Sequence, residues 1–232
     1  MIARHNHEQG SQLHRSVRHP FWLLAGFWFC VVVSVAVVLR RLAELGRASA
    51  TGTSPMAEIN ATFSSHAALT TAHILPAAAF VLLGVGVILG PERGKWWNRL
   101  FFLSGAITGV TAYAMSFYAV GGWIERSAVL VFGTWFLLSL CRAYLFWRRG
   151  EPAQRRAWTT RAVGIVLGIA TTRPVMGVFF ATSTVTHLSP HQFFGIAFWI
   201  GLSINAVVIE LWLRSKQRAQ AHKASIVEFG DA

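Results

Sequence analysis

The chain has 232 residues, of which 54 % are hydrophobic and only 13 % charged, yet its formal net charge is +12. That charge density is about half the usual share for a soluble protein and excludes an ordinary soluble domain. The Lys and Arg residues fall in short bursts between apolar runs, not in a patch on a polar domain, which argues against nucleic acid and for the loops of a membrane protein.

In chain order, the first 20 residues are polar and basic. Six apolar segments follow, each close to the roughly 20 residues needed to cross a bilayer core. The first is FWLLAGFWFCVVVSVAVVL, Phe21 to Leu39. Basic residues precede it and ASA follows at 48–50, as in a signal peptide. The apolar stretch is longer than a usual signal core, however, and Arg40 and Arg41 intervene, so it reads as a retained helix. A connection containing GRASATGTSP leads to the second segment, about Leu69 to Gly90. The third runs from about Leu100 to Val120 and the fourth from about Val129 to Trp147, joined by a short connection containing WIERS. The fifth covers about Ala162 to Thr182 and the sixth about His191 to Leu213; a basic tail, residues 214–232, closes the chain. The fold class is therefore an all-α, polytopic six-helix membrane bundle. Its domains are a tail at 1–20, a transmembrane unit at 21–213 and a tail at 214–232.

Orientation follows from the basic residues. With the N-terminus inside, the cytoplasmic segments hold fifteen Lys and Arg and the opposite loops four (Arg40, Arg41, Arg47 and Arg126). Both termini are thus expected in the cytoplasm, with the bacterial inner membrane as the location and anionic lipid beside the basic loops. Arg40 and Arg41 go against the bias and are expected to snorkel to the headgroups. Cys30 and Cys141 lie deep in apolar runs without metal-ligand spacing, and read as packed small hydrophobes. The tail histidines (His5, His7, His14, His19, His222) read as solvated. GVILG (Gly86, Gly90) and GAITG (Gly105, Gly109) have the small-xxx-small spacing that lets membrane helices approach. Trp96, Trp97, Trp123, Trp147 and Trp212 suit an interfacial belt.

Ionisable groups inside apolar runs are costly and so mark sites. Arg142 and Glu210 lie at similar depth near the cytoplasmic ends of the fourth and sixth segments, and are expected to form a structural ion pair. Arg173 lies about ten residues, or roughly 15 Å, from the outer end of its helix, beyond full snorkelling. Pro174 frees the carbonyl of Ala170 beside it. Two readings stand: an arginine capped at a kink by that carbonyl, Thr171, Thr172 or Asn205, or a ligand site in which Arg173, His73 and Asn205 face an anionic group. His66, His73, His187 and His191 all fall toward the outer side and are the candidate ligands for a metal or haem iron, though their spacing is not diagnostic.

HILPAAAFVLLGVGVILGP in the second segment, the basic turn after it, RRAWTTR before the fifth and the arginine inside it resemble a bacterial family of predicted membrane proteins classed only as a domain of unknown function. The resemblance covers about His73 to Arg214 and includes His73, Trp158, Arg161 and Arg173. The family usually also has two cytoplasmic-side histidines. Here those places hold Gly94 or Lys95, and Arg155, so chemistry resting on them is in doubt. The resemblance implies a multi-helix membrane bundle and supplies no reaction. Ser-His-Asp, HExxH, phosphate-loop and CxxC signatures are missing, which disfavours a soluble-type enzyme. Three classes remain: a ligand-binding or accessory bundle, favoured here; a b-type haem or quinone-linked redox protein; and a small transporter built around a Pro-broken helix. A homodimer or a membrane-protein partner is compatible with each.

Overall fold

The structure, a computed structural model, describes residues 21–46, 61, 63–90 and 94–230. The N-terminal tail with its four histidines, together with Arg47 and Arg93, lies outside the described residues. Among the described residues there is no strand, and six long helices follow one another: α1 (Phe21–Gly46), α2 (Ala67–Leu89), α3 (Lys95–Ser116), α4 (Gly122–Arg149), α5 (Pro152–Thr186) and α6 (Pro190–Gly230).

Five of them, all but α3, are long and apolar enough to cross a membrane. The third helix is diluted by Lys95, Arg99 and several hydroxyls. Those hydroxyls turn back onto their own helix: Thr108 donates to the Ser104 carbonyl and Thr111 to that of Ile107, each at 2.7 Å. A hydroxyl bonded in this way makes little demand on its surroundings and sits at low cost in an apolar medium.

The chain punctuates its helices with residues suited to sharp reversals. Gly150 closes α4 in the left-handed conformation (φ 72°), its N–H bonded to the carbonyls of Phe146 and Trp147, and Pro152 opens α5 two residues later. Glycine bears the positive φ without steric cost, and proline gives up an N–H that the first helical turn leaves unpaired anyway. His187 closes α5 with φ 52°. The sixth helix runs on to Gly230, so most of the tail expected at 214–232 is a continuation of the last helix.

Each helix packs on its successor, α4 also on α6, and α5 also on α2 and α1. The result is an up-and-down bundle with α5 at its centre. Lipid gives no hydrophobic drive between helices, so close approach relies on small residues. A Cβ on Gly105 would lie 2.8 Å from Phe80, and one on Gly84 the same distance from Val163. A Cβ on Gly201 would lie 2.7 Å from the backbone nitrogen of Thr172, so α5 and α6 touch backbone to backbone. In the space left, Phe80 stacks on Phe101 (ring centroids 4.6 Å apart) and meets Phe136 edge-on. The first helix is peripheral: of residues 21–44, only Val31 and Ser34 are buried.

Candidate functional site

At the end of the bundle that gathers the α1–α2, α3–α4 and α5–α6 connections lies a cavity of about 200 Å³. Most of its wall is aliphatic or aromatic, from Val37, Ile74, Val81, Ile169 and Phe198 among others; its ionisable groups include Arg173 on α5, His73 on α2, Glu125 on α4, Arg41 on α1 and His66 just before α2, and Ser34, Thr70, Ser116 and Tyr118 add hydroxyls.

Arg173 reaches the cavity from within α5, which stays helical through Pro174. Its Nε is buried and has no hydrogen-bond partner, and its Nη1 is 4.0 Å from the sulfur of Met176. A thioether is a weak acceptor, so the guanidinium stays under-satisfied. Ser34 Oγ, in the same wall, is also buried without a partner. His73 is anchored by Nδ1 to Thr111 Oγ1 at 3.0 Å. Because Thr111 spends its own hydrogen on Ile107, His73 is placed to donate in that bond.

Glu125 was hidden in the sequence because WIERS reads as a polar connection. The connection is shorter than that: α4 begins at Gly122, and Glu125, only 7 % exposed, is in its first turn. Its Oε2 accepts from the N–H of Gly121 at 2.7 Å, and a negative charge there is favoured by the helix dipole. The placement depends on α6. Gly121 meets Gly195 so closely that a Cβ on Gly121 would be 2.5 Å from the Gly195 nitrogen. His191 Nδ1 donates to the Val120 carbonyl at 2.6 Å, and Trp199 Nε1 to that of Ile124 at 3.1 Å. Arg41 and Arg40 repel Arg173, and Glu125 and Glu44 attract it more weakly. No carboxylate among the described residues is within 4.0 Å of Arg173. A pair of residues, Gly121 and Glu125, four apart just after an apolar run was the signal available.

Other sequence candidates are placed differently. Asn205 does not line the Arg173 cavity. Its Oδ1 accepts from Thr171 Oγ1 at 2.7 Å and its Nδ2 donates to the Gly164 carbonyl at 3.1 Å. It borders a second, largely apolar cavity of about 280 Å³ between α1, α5 and α6. The two-residue offset between Thr171 and Arg173 turns them to different sides of α5.

The ion pair is also different from the one expected. Glu210 binds Arg161, not Arg142: Nε donates to Oε1, and Nη2 to Oε2 at 3.2 Å. The glycine-lined α5–α6 contact holds Arg161 opposite Glu210, whereas Arg142 lies on the exposed face of α4. Both arginines approach Trp158, with Cζ 4.5 Å (Arg161) and 5.6 Å (Arg142) from its ring centroid. These are cation–π distances.

The four outer histidines do not gather. His187 caps α5, His191 holds the Val120 carbonyl, and His66 stacks on Tyr118 with centroids 3.7 Å apart. Only His66 and His73 share the cavity. Among the described residues, no group of three or more His, Cys, Asp or Glu is arranged to hold a metal ion.

At the other end, Asn98 joins the places where family histidines were expected: its Nδ2 donates to the Gly94 carbonyl at 3.3 Å and its Oδ1 accepts from Arg155 at 2.9 Å. Those two sequence-distant positions are therefore neighbours in space.

No curated protein and no solved structure matches the chain. A family described as predicted membrane proteins, DUF2306, matches residues 70–213. The match takes in nearly all of α2, α3 to α5 complete, and α6 as far as Leu213; it includes His73, Glu125, Arg161, Arg173 and Glu210 and leaves out α1. The chain belongs to the DUF2306 family of predicted membrane proteins.

Proposed function

We propose that this is a six-span bundle of the bacterial inner membrane, with both termini in the cytoplasm, that binds a small anionic amphiphile in its outer half. The observation that carries this is the pair of buried, unpartnered polar atoms, Arg173 Nε and Ser34 Oγ, in the wall of one cavity. Leaving a buried donor unsatisfied costs about 1–3 kcal/mol, more when it is charged, so a native structure keeps such a group for a reason. A carboxylate supplies what is missing: two coplanar acceptors for the guanidinium fork and a further oxygen edge for a serine hydroxyl. The aliphatic remainder of the wall suits an apolar body behind that head.

Binding is read by thermal shift and tryptophan fluorescence of the purified protein in detergent, with dodecanoate as probe and dodecanol as its uncharged control. Dodecanoate is expected to bind and dodecanol to bind much more weakly. Arg173→Lys keeps the fold and weakens dodecanoate roughly 10- to 100-fold, as expected for loss of a charge-assisted bidentate contact. Arg173→Leu abolishes the preference and raises the melting temperature of the empty protein, because a costly buried charge is gone. Equal affinity for both probes in the wild type would end this reading.

The threading has its own check. In this topology α3 crosses despite its diluted composition, since its hydroxyls are internally bonded. Reporter fusions after Gly150 and after Ser189 should report opposite sides of the membrane; the same side for both refutes it.

A further inference from the structure

The two cavities flank a single contact. The first is walled on one side by Ser34, Val37 and Arg41 of α1, the second by Phe27 and Cys30 of the same helix. Between them α1 meets α5 where Cys30 Sγ lies 3.8 Å from Thr171 Oγ1, a weak sulfur contact. Ser34 is one turn, about 6 Å, from Cys30, so the cavities follow each other along one seam. The helix that closes this seam is the least embedded of the bundle, with two buried residues, and it lies outside the residues that define the family. At the cavity α1 contributes Arg41, which also pairs with Glu44 at 3.0 Å, opposite Arg173 and the buried Glu125, and the rest of the wall is apolar, which suits the head and chain of a single-chain carboxylate lipid.

Resting on the binding reading above, we infer that the ligand is a long-chain carboxylate drawn directly from the bilayer, which passes between α1 and α5 and seats its head at Arg173 with its chain along the inner face of α1. Such a path requires α1 to swing away from α5. The small area it buries and the weakness of its Cys30–Thr171 contact permit that motion, whereas the backbone-to-backbone α5–α6 contact does not.

The native cysteine supplies the test. Thr171→Cys, in a Cys141→Ser background, places a second thiol beside Cys30 and allows α1 to be fastened to α5 by oxidation and released by reductant. A short bis-maleimide bridges the same pair should the direct disulfide not close. In nanodiscs, exchange of pyrene-labelled hexadecanoate presented in the bilayer is compared with exchange of hexanoate presented in water. Fastening α1 is expected to slow hexadecanoate exchange at least tenfold, reversibly, with hexanoate little changed. Unchanged hexadecanoate exchange in the fastened protein, with Arg173→Leu still weakening its binding, overturns the lateral path and leaves the binding site standing. Equal slowing of both probes also overturns it, since the bridge then acts on the cavity itself. If Arg173→Leu binds hexadecanoate as the wild type does, the binding reading and the path fail together.

Discussion

Replacing Glu210 with glutamine, or Arg161 with methionine, is expected to destabilise the folded protein by roughly 3–5 kcal/mol, and replacing both by much less. The pair is bidentate and its side chains are only 14 % and 21 % exposed, at the contact between the two most closely packed helices. Removing one partner leaves the other charge in a poorly hydrated place with nothing to bind. Removing both leaves two uncharged side chains and no orphan. The Trp158 ring retains the Arg142 guanidinium whichever change is made to Glu210, so that contact does not compensate. Unfolding in detergent by calorimetry or by denaturant, across the two single variants and the double, gives the coupling energy. Losses that simply add would show that each residue acts alone. Arg142→Met, by contrast, removes an exposed side chain and should cost well under 1 kcal/mol.

Gly201→Ala should be among the costliest single added methyls in the bundle. Its Cβ would lie 2.6–2.8 Å from Thr172, and two of the three nearest atoms, N and Cα, are backbone of the neighbouring helix. Neither can turn aside, so α5 and α6 must separate along their length, at about 3 kcal/mol or more. Gly164 is the instructive contrast. Its added Cβ falls closer still, 1.5 Å from Ile209 Cδ1, but that atom ends a flexible side chain that rotates away. Gly164→Ala should therefore cost about 1 kcal/mol. Melting temperatures of the two variants measured side by side decide the matter; a larger loss for Gly164→Ala would mean that side-chain relaxation at Ile209 is blocked and that the helix axes are not what limits the approach.

Helix position was well expressed in hydropathy: the six apolar segments fall on six observed helices, most of which extend past them where polar residues continue the same helical turn, whereas the third helix stops at Ser116, four residues short of the apolar run's end at Val120. At the start of α4 this matters most. Apolar runs locate the part of a helix in oil, and its first turn can be charged, so Glu125 was read as connection. Partners were harder to foresee than depths. Arg173 and His73 announce themselves as polar groups in apolar sequence, and the cavity they share is a matter of tertiary packing. Glu210 was assigned to the wrong arginine because depth along a helix axis is readable from sequence while rotation about it is not, and Arg161 had been counted among loop charges. Asn205 shows the same limit: at suitable depth, it faces Thr171 and Gly164 across the other side of α5.

The length of α5 and α6 has an electrostatic consequence. They contain 35 and 41 residues, so they extend about 53 and 62 Å, against a hydrocarbon core of about 30 Å. Even a strong tilt leaves a long excess. The first turns of α5 stay on the bundle, where Arg155 reaches Asn98 of α3 at 2.9 Å, while α6 runs on past Leu213 to Gly230; Arg156 and Lys216 repel each other at this end. Arg155, Arg214 and Arg218 add to the same sign. The surplus of α6 is therefore a basic helical arm beyond the apolar core, and its attraction to any polyanionic surface weakens as salt rises.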